Sequence, residues 1–163
     1  MSALTIRPAL ASDAPVLLSL IRGLAEYEKL AHEVVATEAQ LAAELGAPHP
    51  VAQALIAEWA GEPAGFALYF FNFSTFLGRQ GLYLEDLFVL PAQRGHGIGR
   101  ALLVELARRA AERGCGRVEW SVLDWNVDAQ RFYASLGARP MSGWTVYRLD
   151  RAAIAALGKT SLS

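Results

Sequence analysis

The run Leu82-Tyr83-Leu84-Glu85-Asp86-Leu87-Phe88-Val89-Leu90-Pro91-Ala92-Gln93-Arg94-Gly95-His96-Gly97-Ile98-Gly99-Arg100 joins a strand pattern to a helix pattern through a turn crowded with glycine. Leu82 to Leu90 is apolar and rich in strand formers, and Pro91 stops it. Past the turn, Leu102, Leu103, Leu106 and Ala110 recur at the spacing of one helix face. Glu105, Arg108, Arg109, Glu112 and Arg113 cover much of the rest of that helix. Glycines between a strand and a helix let the backbone turn tightly and approach a ligand with no Cβ in the way. The N–H groups of the turn and of the first helical turn then face outward, and with the helix dipole they form an anion site. A pyrophosphate suits such a site, and Arg94 and Arg100 add charge at its rim.

Two familiar phosphate loops do not fit. A Walker A loop ends in Gly-Lys-Ser or Gly-Lys-Thr, whereas this turn ends Gly99-Arg100-Ala101. A dinucleotide fingerprint spaces its glycines Gly-x-Gly-x-x-Gly after an early strand; here Gly95, Gly97 and Gly99 alternate and follow several strands. A CoA pyrophosphate site and an ordinary glycine turn are the two readings that the turn leaves open.

Outward from the turn, the remaining elements are short and alternate in type. Leu4 to Arg7 reads as a first strand. Asp13 and Pro15 open a helix carrying Val16, Leu17, Leu20, Ile21 and Leu24 to about Lys29. Thr37 and Gln40 form a capping box for a second helix that ends at Gly46. Ala52 to Trp59 and Ala64 to Phe73 form a hairpin about a turn at Gly61-Glu62-Pro63, and Asn72 to Gly81 is an aromatic loop. Arg117 to Leu123 is a strand, Asp128 to Leu136 a short helix stopped by Gly137, and Trp144 to Leu149 a last strand, with Trp120 and Trp144 in the core. Arg151 to Leu157 is a weak helix and the chain frays from Gly158. The order β-α-α-β-β-β-α-β-α-β predicts an α/β sandwich on a mixed sheet rather than a doubly wound fold. One domain over residues 1–150 with a tail over 151–163 is expected, since neither a linker nor a repeat divides the chain.

Composition narrows the classes. The chain has 163 residues, 53% of them apolar and 19% charged, which suffices for a core without metal or disulfide. Cys115 is the single cysteine, so no internal disulfide forms, and its place between a helix and a strand suits a structural thiol. A formal net charge of -1 and the lack of a long basic run disfavour nucleic acid as a partner. The N-terminus lacks a basic segment followed by an apolar one, and no stretch reaches ~18 uncharged apolar residues, so a cytoplasmic protein with no membrane partner is expected.

Arg94-Gly95-His96-Gly97-Ile98-Gly99, after Leu87-Phe88-Val89-Leu90, resembles the acyl-CoA signature of the GNAT superfamily of N-acetyltransferases. Leu24-Ala25-Glu26-Tyr27-Glu28, Gly65 to Phe71, Leu82 to Val89, Trp125-Asn126 and Phe132-Tyr133-x-x-x-Gly137-Ala138 extend the resemblance over almost the whole chain. They bring it closest to the diamine (spermidine/spermine) and thialysine acetyltransferase group. The sequence departs from that group at Phe73-Ser74-Thr75-Phe76 and after Leu149. The resemblance implies a GNAT-like α/β sandwich, acetyl-CoA as co-substrate, a small amine acceptor and a homodimer. It also implies that Arg94, Gly95, His96, Gly97, Ile98, Gly99 and Arg100 wrap the pyrophosphate, and that Phe88, Val89 and Leu90 offer main-chain contacts to the acetyl carbonyl and pantetheine. Asn126 then bonds the pantetheine arm, with His96 a rim residue.

Direct acetyl transfer needs a neutral amine, a stabilised carbonyl oxygen and a proton for the departing thiolate. A phenol with a pKa of ~10 can deliver that proton without a metal. Tyr133 stands at the place where the resembling enzymes keep their general acid, although its helix spacing also suits plain packing. Glu85 and Asp86 interrupt an otherwise apolar strand, where acids are costly unless they are paired or line a cavity. Alternation sends them to opposite faces unless a bulge intervenes. Glu85 is the expected base, and Glu85 and Asp86 both attract a cationic amine. The resemblance sets Tyr27 and Glu28 over the acceptor, Glu28 holding a distal ammonium. Arg79 is a possible partner for an acceptor carboxylate. Monoamines, drug-like amines and protein N-termini are alternative acceptors, and a non-catalytic acyl-CoA-binding module is the alternative to an enzyme.

Overall fold

The computed structural model describes residues 3–161. They fall into two compact units, one up to Leu123 and one from Asp124. Only the end of the expected frayed tail, residues 162–163, lies outside the described residues.

The first unit contains β1 (Leu4–Pro8), α1 (Ala14–Tyr27), α2 (Glu38–Leu45), β2 (Gln53–Trp59), β3 (Glu62–Ser74), β4 (Arg79–Val89), α3 (Ile98–Glu112) and β5 (Arg117–Trp120). The strands form one sheet in sequence order. β1 to β4 pair antiparallel, and β4 pairs with β5 in parallel across the α3 crossover. This is a mixed sheet flanked by helices. Leu17 and Leu20 of α1 pack with Ala54, Phe66 and Phe88. On the opposite face Arg109 of α3 reaches the hydroxyl of Tyr69, and Arg113 lies over Phe71. The α3 residues Leu102, Leu103, Leu106 and Ala110, expected on one face, are all buried.

Local chemistry explains where the elements begin. Thr37 Oγ1 accepts from Gln40 N, and Gln40 Oε1 accepts from Thr37 N, which closes the capping box of α2. Asp13 stands at the N-cap of α1 but makes no capping bond. Arg7 holds its carboxylate in a fork at 2.8 and 2.9 Å, and the Leu10 N–H donates to it at 2.7 Å. A charged guanidinium outcompetes the helix N–H groups.

Three expected boundaries move. The β2–β3 turn centres on Ala60 and Gly61, both at positive φ, with Trp59 opposite Glu62. Two left-handed residues match the twist of a tight hairpin, so Glu62 and Pro63 belong to β3. The expected loop from Asn72 to Gly81 is mostly strand: Asn72, Phe73 and Ser74 pair with Gly81, Gln80 and Arg79. Phe70 stacks on Tyr83 at 5.1 Å in the same ladder, and such cross-strand contacts carry the hairpin beyond the helices. β5 ends at Trp120, short of Leu123.

The second unit contains α4 (Val127–Ser135) and α5 (Arg151–Leu157), close to expectation. Trp144 to Leu149 is not a strand. Alternation makes a strand only when the backbone finds a ladder, and none among the described residues includes this segment. Trp144 is exposed, not core, and neighbouring Val146 and Tyr147 are both exposed, so no face is selected. No helix among the described residues is long and apolar enough to cross a membrane.

Candidate functional site

The register of β4 decides where its acids go. Asp86 pairs with Leu68, and Leu84 with Tyr69, so Glu85 is an extra residue without an opposite number on β3. The bulge inverts the alternation. Leu82 and Leu84 share the α3 face with Phe71 and Tyr69, whereas Asp86 and Phe88 share the α1 face with Leu68 and Phe66. Glu85 is exposed and Asp86 half-buried.

Glu28 follows the last residue of α1 on that same face. Gly23 brings α1 close to β4: a Cβ there would lie 2.9 Å from Phe88 Cε1. Burial, together with the charges of Glu85 and Glu28, pushes the Asp86 carboxyl up to about 6. Burial alone raises Glu28. Three carboxylates from α1 and β4 thus share one field, with Tyr27 beside them.

The same stretch of β4 has an open edge. Pairing with β5 stops at Leu84 and Trp120, so from Asp86 to Val89 the ladder partner is β3 alone among the described residues. Leu90 N donates to Ala64 O, so by alternation the Val89 peptide groups point away from β3. Arg94 Nε donates to Val89 O at 3.2 Å on that side. The Val89 N–H faces the same edge, where a donor can stabilise a carbonyl oxygen as it gains charge.

Directly beyond lies the glycine turn. Gly95 and Gly97 have φ of 87° and 74°, which side chains rarely adopt, and a Cβ at either would meet only open space. Gly97 is the N-cap of α3 and supplies no capping side chain. The first N–H groups of α3 therefore have no intrahelical acceptor, and the concave turn admits an anion. Ile98 is buried and anchors the helix start, Gly99 is half-buried, and Arg100 is exposed. His96 lies against Trp59 with ring centroids 4.3 Å apart and tilted by 33°, and its Nδ1 lies 3.0 Å from Gln93 O, which keeps the imidazole at the rim. These residues fit the pyrophosphate and thioester of a CoA ester.

Arg79, Phe73 and Phe76 lie elsewhere in the first unit. Arg79 opens β4, seven residues before Asp86, and its guanidinium turns to Gly114 O. That separation is roughly 23 Å along a strand, which removes Arg79 from the acids. Phe73 and Phe76 are exposed at the same far end. In the second unit, Asn126 is the N-cap of α4, and its Oδ1 accepts from Ala129 N at 3.2 Å. Tyr133 is half-buried on α4, its ring 5.6 Å from that of Phe132. Trp59 and Gly23 escaped the sequence reading. Gly23 did carry a signal, since a lone glycine inside a helical pattern marks a close approach.

Comparison with known proteins identifies the family. The acetyltransferase (GNAT) family model matches residues 19–138. The chain is 39% identical over 161 residues to the thialysine N-epsilon-acetyltransferase of Sus scrofa, covering 92% of this chain and 94% of that protein. It is 32% identical over 202 residues to the L-ornithine N5-acetyltransferase of Arabidopsis thaliana, covering 96% of this chain and 89% of that protein. Among solved structures, an integron cassette protein from the mobile metagenome of V. cholerae superposes with a TM-score of 0.82 at 27% identity, covering 98% of this chain and 100% of that one.

Proposed function

The chain belongs to the acetyltransferase (GNAT) family and uses acetyl-CoA as its co-substrate; we propose that its acceptor is a small cation with two or more amines, such as a diamine, a polyamine or a thialysine-like amino acid. The observation that carries this is the meeting of Glu28, Glu85 and Asp86 beside the open edge of β4. Three acids in one field favour a multiply charged partner, because its positive charges relieve the repulsion that adds to burial in raising Asp86. The thialysine and ornithine named in the matching proteins are amino acids with a side-chain amine, which supports the same class.

The transfer needs no covalent enzyme intermediate. The acceptor amine loses a proton through water to the Glu85–Asp86 pair, and Asp86, with a pKa near 6, takes it near neutral pH. The neutral nitrogen attacks the thioester carbon. Its oxygen gathers charge against main-chain N–H groups of β4, Val89 among them. The tetrahedral carbon then collapses with loss of its C–S bond, the CoA thiolate takes the proton of Tyr133, and the new amide nitrogen gives up its second proton through water to the Tyr133 phenolate. The place of Tyr133 in Phe132-Tyr133-x-x-x-Gly137 supports that role. Glu28 holds the distal ammonium, which fixes the reacting amine toward the thioester.

The test is a panel of diamines, polyamines, lysine analogues, monoamines and peptides with acetyl-CoA, read by thiol release. Small polyamines or lysine analogues are expected to show the highest kcat/KM. Glu28→Gln lowers it more for acceptors with a distal amine than for those without. Monoamines or peptide N-termini at the head of the panel, or a silent Glu28→Gln, would reject the acceptor class and leave the acetyltransferase activity standing.

A further inference from the structure

Arg94 touches three parts of the site at once. Its Nε donates to Val89 O at 3.2 Å on the open edge of β4. Its guanidinium carbon lies 4.7 Å from the Tyr27 ring centroid at the end of α1, and 5.8 Å from the Phe88 ring. Its own backbone begins the glycine turn. The side chain is exposed, and Nη1 and Nη2 make no hydrogen bond to the described chain. A planar guanidinium can stack on an aromatic ring while its edge binds an acceptor.

The geometry points to Arg94 as a positioning residue that couples the CoA turn to the acceptor end of α1. An anion on the turn attracts the unbonded Nη groups and fixes the guanidinium. A fixed guanidinium fixes the Tyr27 ring beneath it, and with that ring the end of α1 that carries Glu28. Gly23 keeps α1 against Phe88, so the movement left to this helix end is at Tyr27 and beyond. Acetyl-CoA therefore orders the acceptor side before the amine arrives, and by linkage a bound amine tightens acetyl-CoA by the same factor. The role of Glu28 rests on the acceptor class proposed above; the contact from the turn to α1 does not.

Hydrogen exchange of residues 24–30 with and without saturating CoA tests the coupling directly and needs no acceptor. In the wild type, CoA is expected to slow exchange there by roughly tenfold, an effect of local ordering. Arg94→Met keeps the length of the side chain but not its charge, and at CoA concentrations that saturate it by calorimetry the slowing should vanish. Tyr27→Leu should lose the slowing while keeping CoA affinity within about twofold, which separates the coupling from phosphate binding. Arg94→Lys, with a cation for the ring but no fork, should restore part of it. With thialysine as probe, Arg94→Met and Tyr27→Leu should each raise the acceptor KM, and the double variant no further than the worse single one. Exchange unchanged by CoA in the wild type, or slowed equally in Arg94→Met, overturns the proposal. A failed thialysine assay beside intact exchange coupling rejects only the acceptor class.

Discussion

Burial and two neighbouring acids set the chemistry of Asp86. Its pKa near 6 lies above the ordinary 3.8, so the folded state holds this proton more tightly than the unfolded chain does. Stability should therefore fall as pH rises from about 4 through about 6, because a half-buried carboxyl is being ionised beside two other acids. Asp86→Asn removes that cost. Its melting temperature should match the wild type near pH 4 and exceed it by several degrees near pH 8, reflecting roughly 1–2 kcal/mol. Thermal melts across this range check the sign, and parallel curves would refute the shifted pKa. The same variant should lose activity at every pH, so the site gains function at the expense of stability. Tyr133 is tested by Tyr133→Phe, which keeps the ring and removes the donor. Turnover should fall by roughly 10²-fold or more with acetyl-CoA affinity nearly unchanged. Full turnover under conditions where chemistry limits the rate would deny it the acid role.

Among the elements, the start of α3 and the bulge of β4 do separate jobs. The glycine turn was legible because its neighbours are an apolar strand and an amphipathic helix, and its glycines fit neither a Walker A loop nor a dinucleotide fingerprint. Its left-handed conformation at Gly97 makes a specific demand. Gly97→Asp adds both a disfavoured φ for a side chain and a carboxylate in front of the uncapped N–H groups of α3. Calorimetry should show acetyl-CoA affinity reduced by more than roughly tenfold, with the circular dichroism spectrum kept. Unaltered affinity would move the pyrophosphate elsewhere. The bulge was legible only as an alternative. Two adjacent acids in an apolar strand announce a conflict, but whether the strand absorbs it by a bulge depends on the register with β3, which pairs Leu68 with Asp86 and Tyr69 with Leu84.

At the scale of the whole molecule, each unit leaves aromatic side chains in solvent. Tyr147 is 93% exposed and Phe76 97%, and Trp144, Val146 and Leu149 are exposed as well. Scattered apolar residues are ordinary on a surface, but aromatic side chains concentrated in short segments mark association. A homodimer is the expected state, two-fold symmetry being the commonest way to cover such surface. Light scattering at tens of micromolar should return twice the 17.6 kDa chain mass, and a monomeric mass would reject the dimer.

The local code was enough for much of this protein. Period and punctuation located the helices, the capping box at Thr37 and the strand, turn and helix around Arg94, because each depends on residues a few positions apart. The acids of β4 and the glycines before α3 stood out for the same reason, since each is an anomaly in its own neighbourhood. Tertiary structure decided the rest. Only the β3 register turns Asp86 to the α1 face, and only the end of the β5 pairing opens an edge at Val89. The contact of Arg94 with Tyr27 joins residues 67 positions apart, which no local pattern encodes. Trp144 to Leu149 shows the converse, since its alternation is that of a strand and its backbone has no ladder among the described residues. Side-chain pattern is a property of the chain, whereas hydrogen-bond partners, burial and shifted pKa values belong to pairs of segments that meet only once the chain has folded.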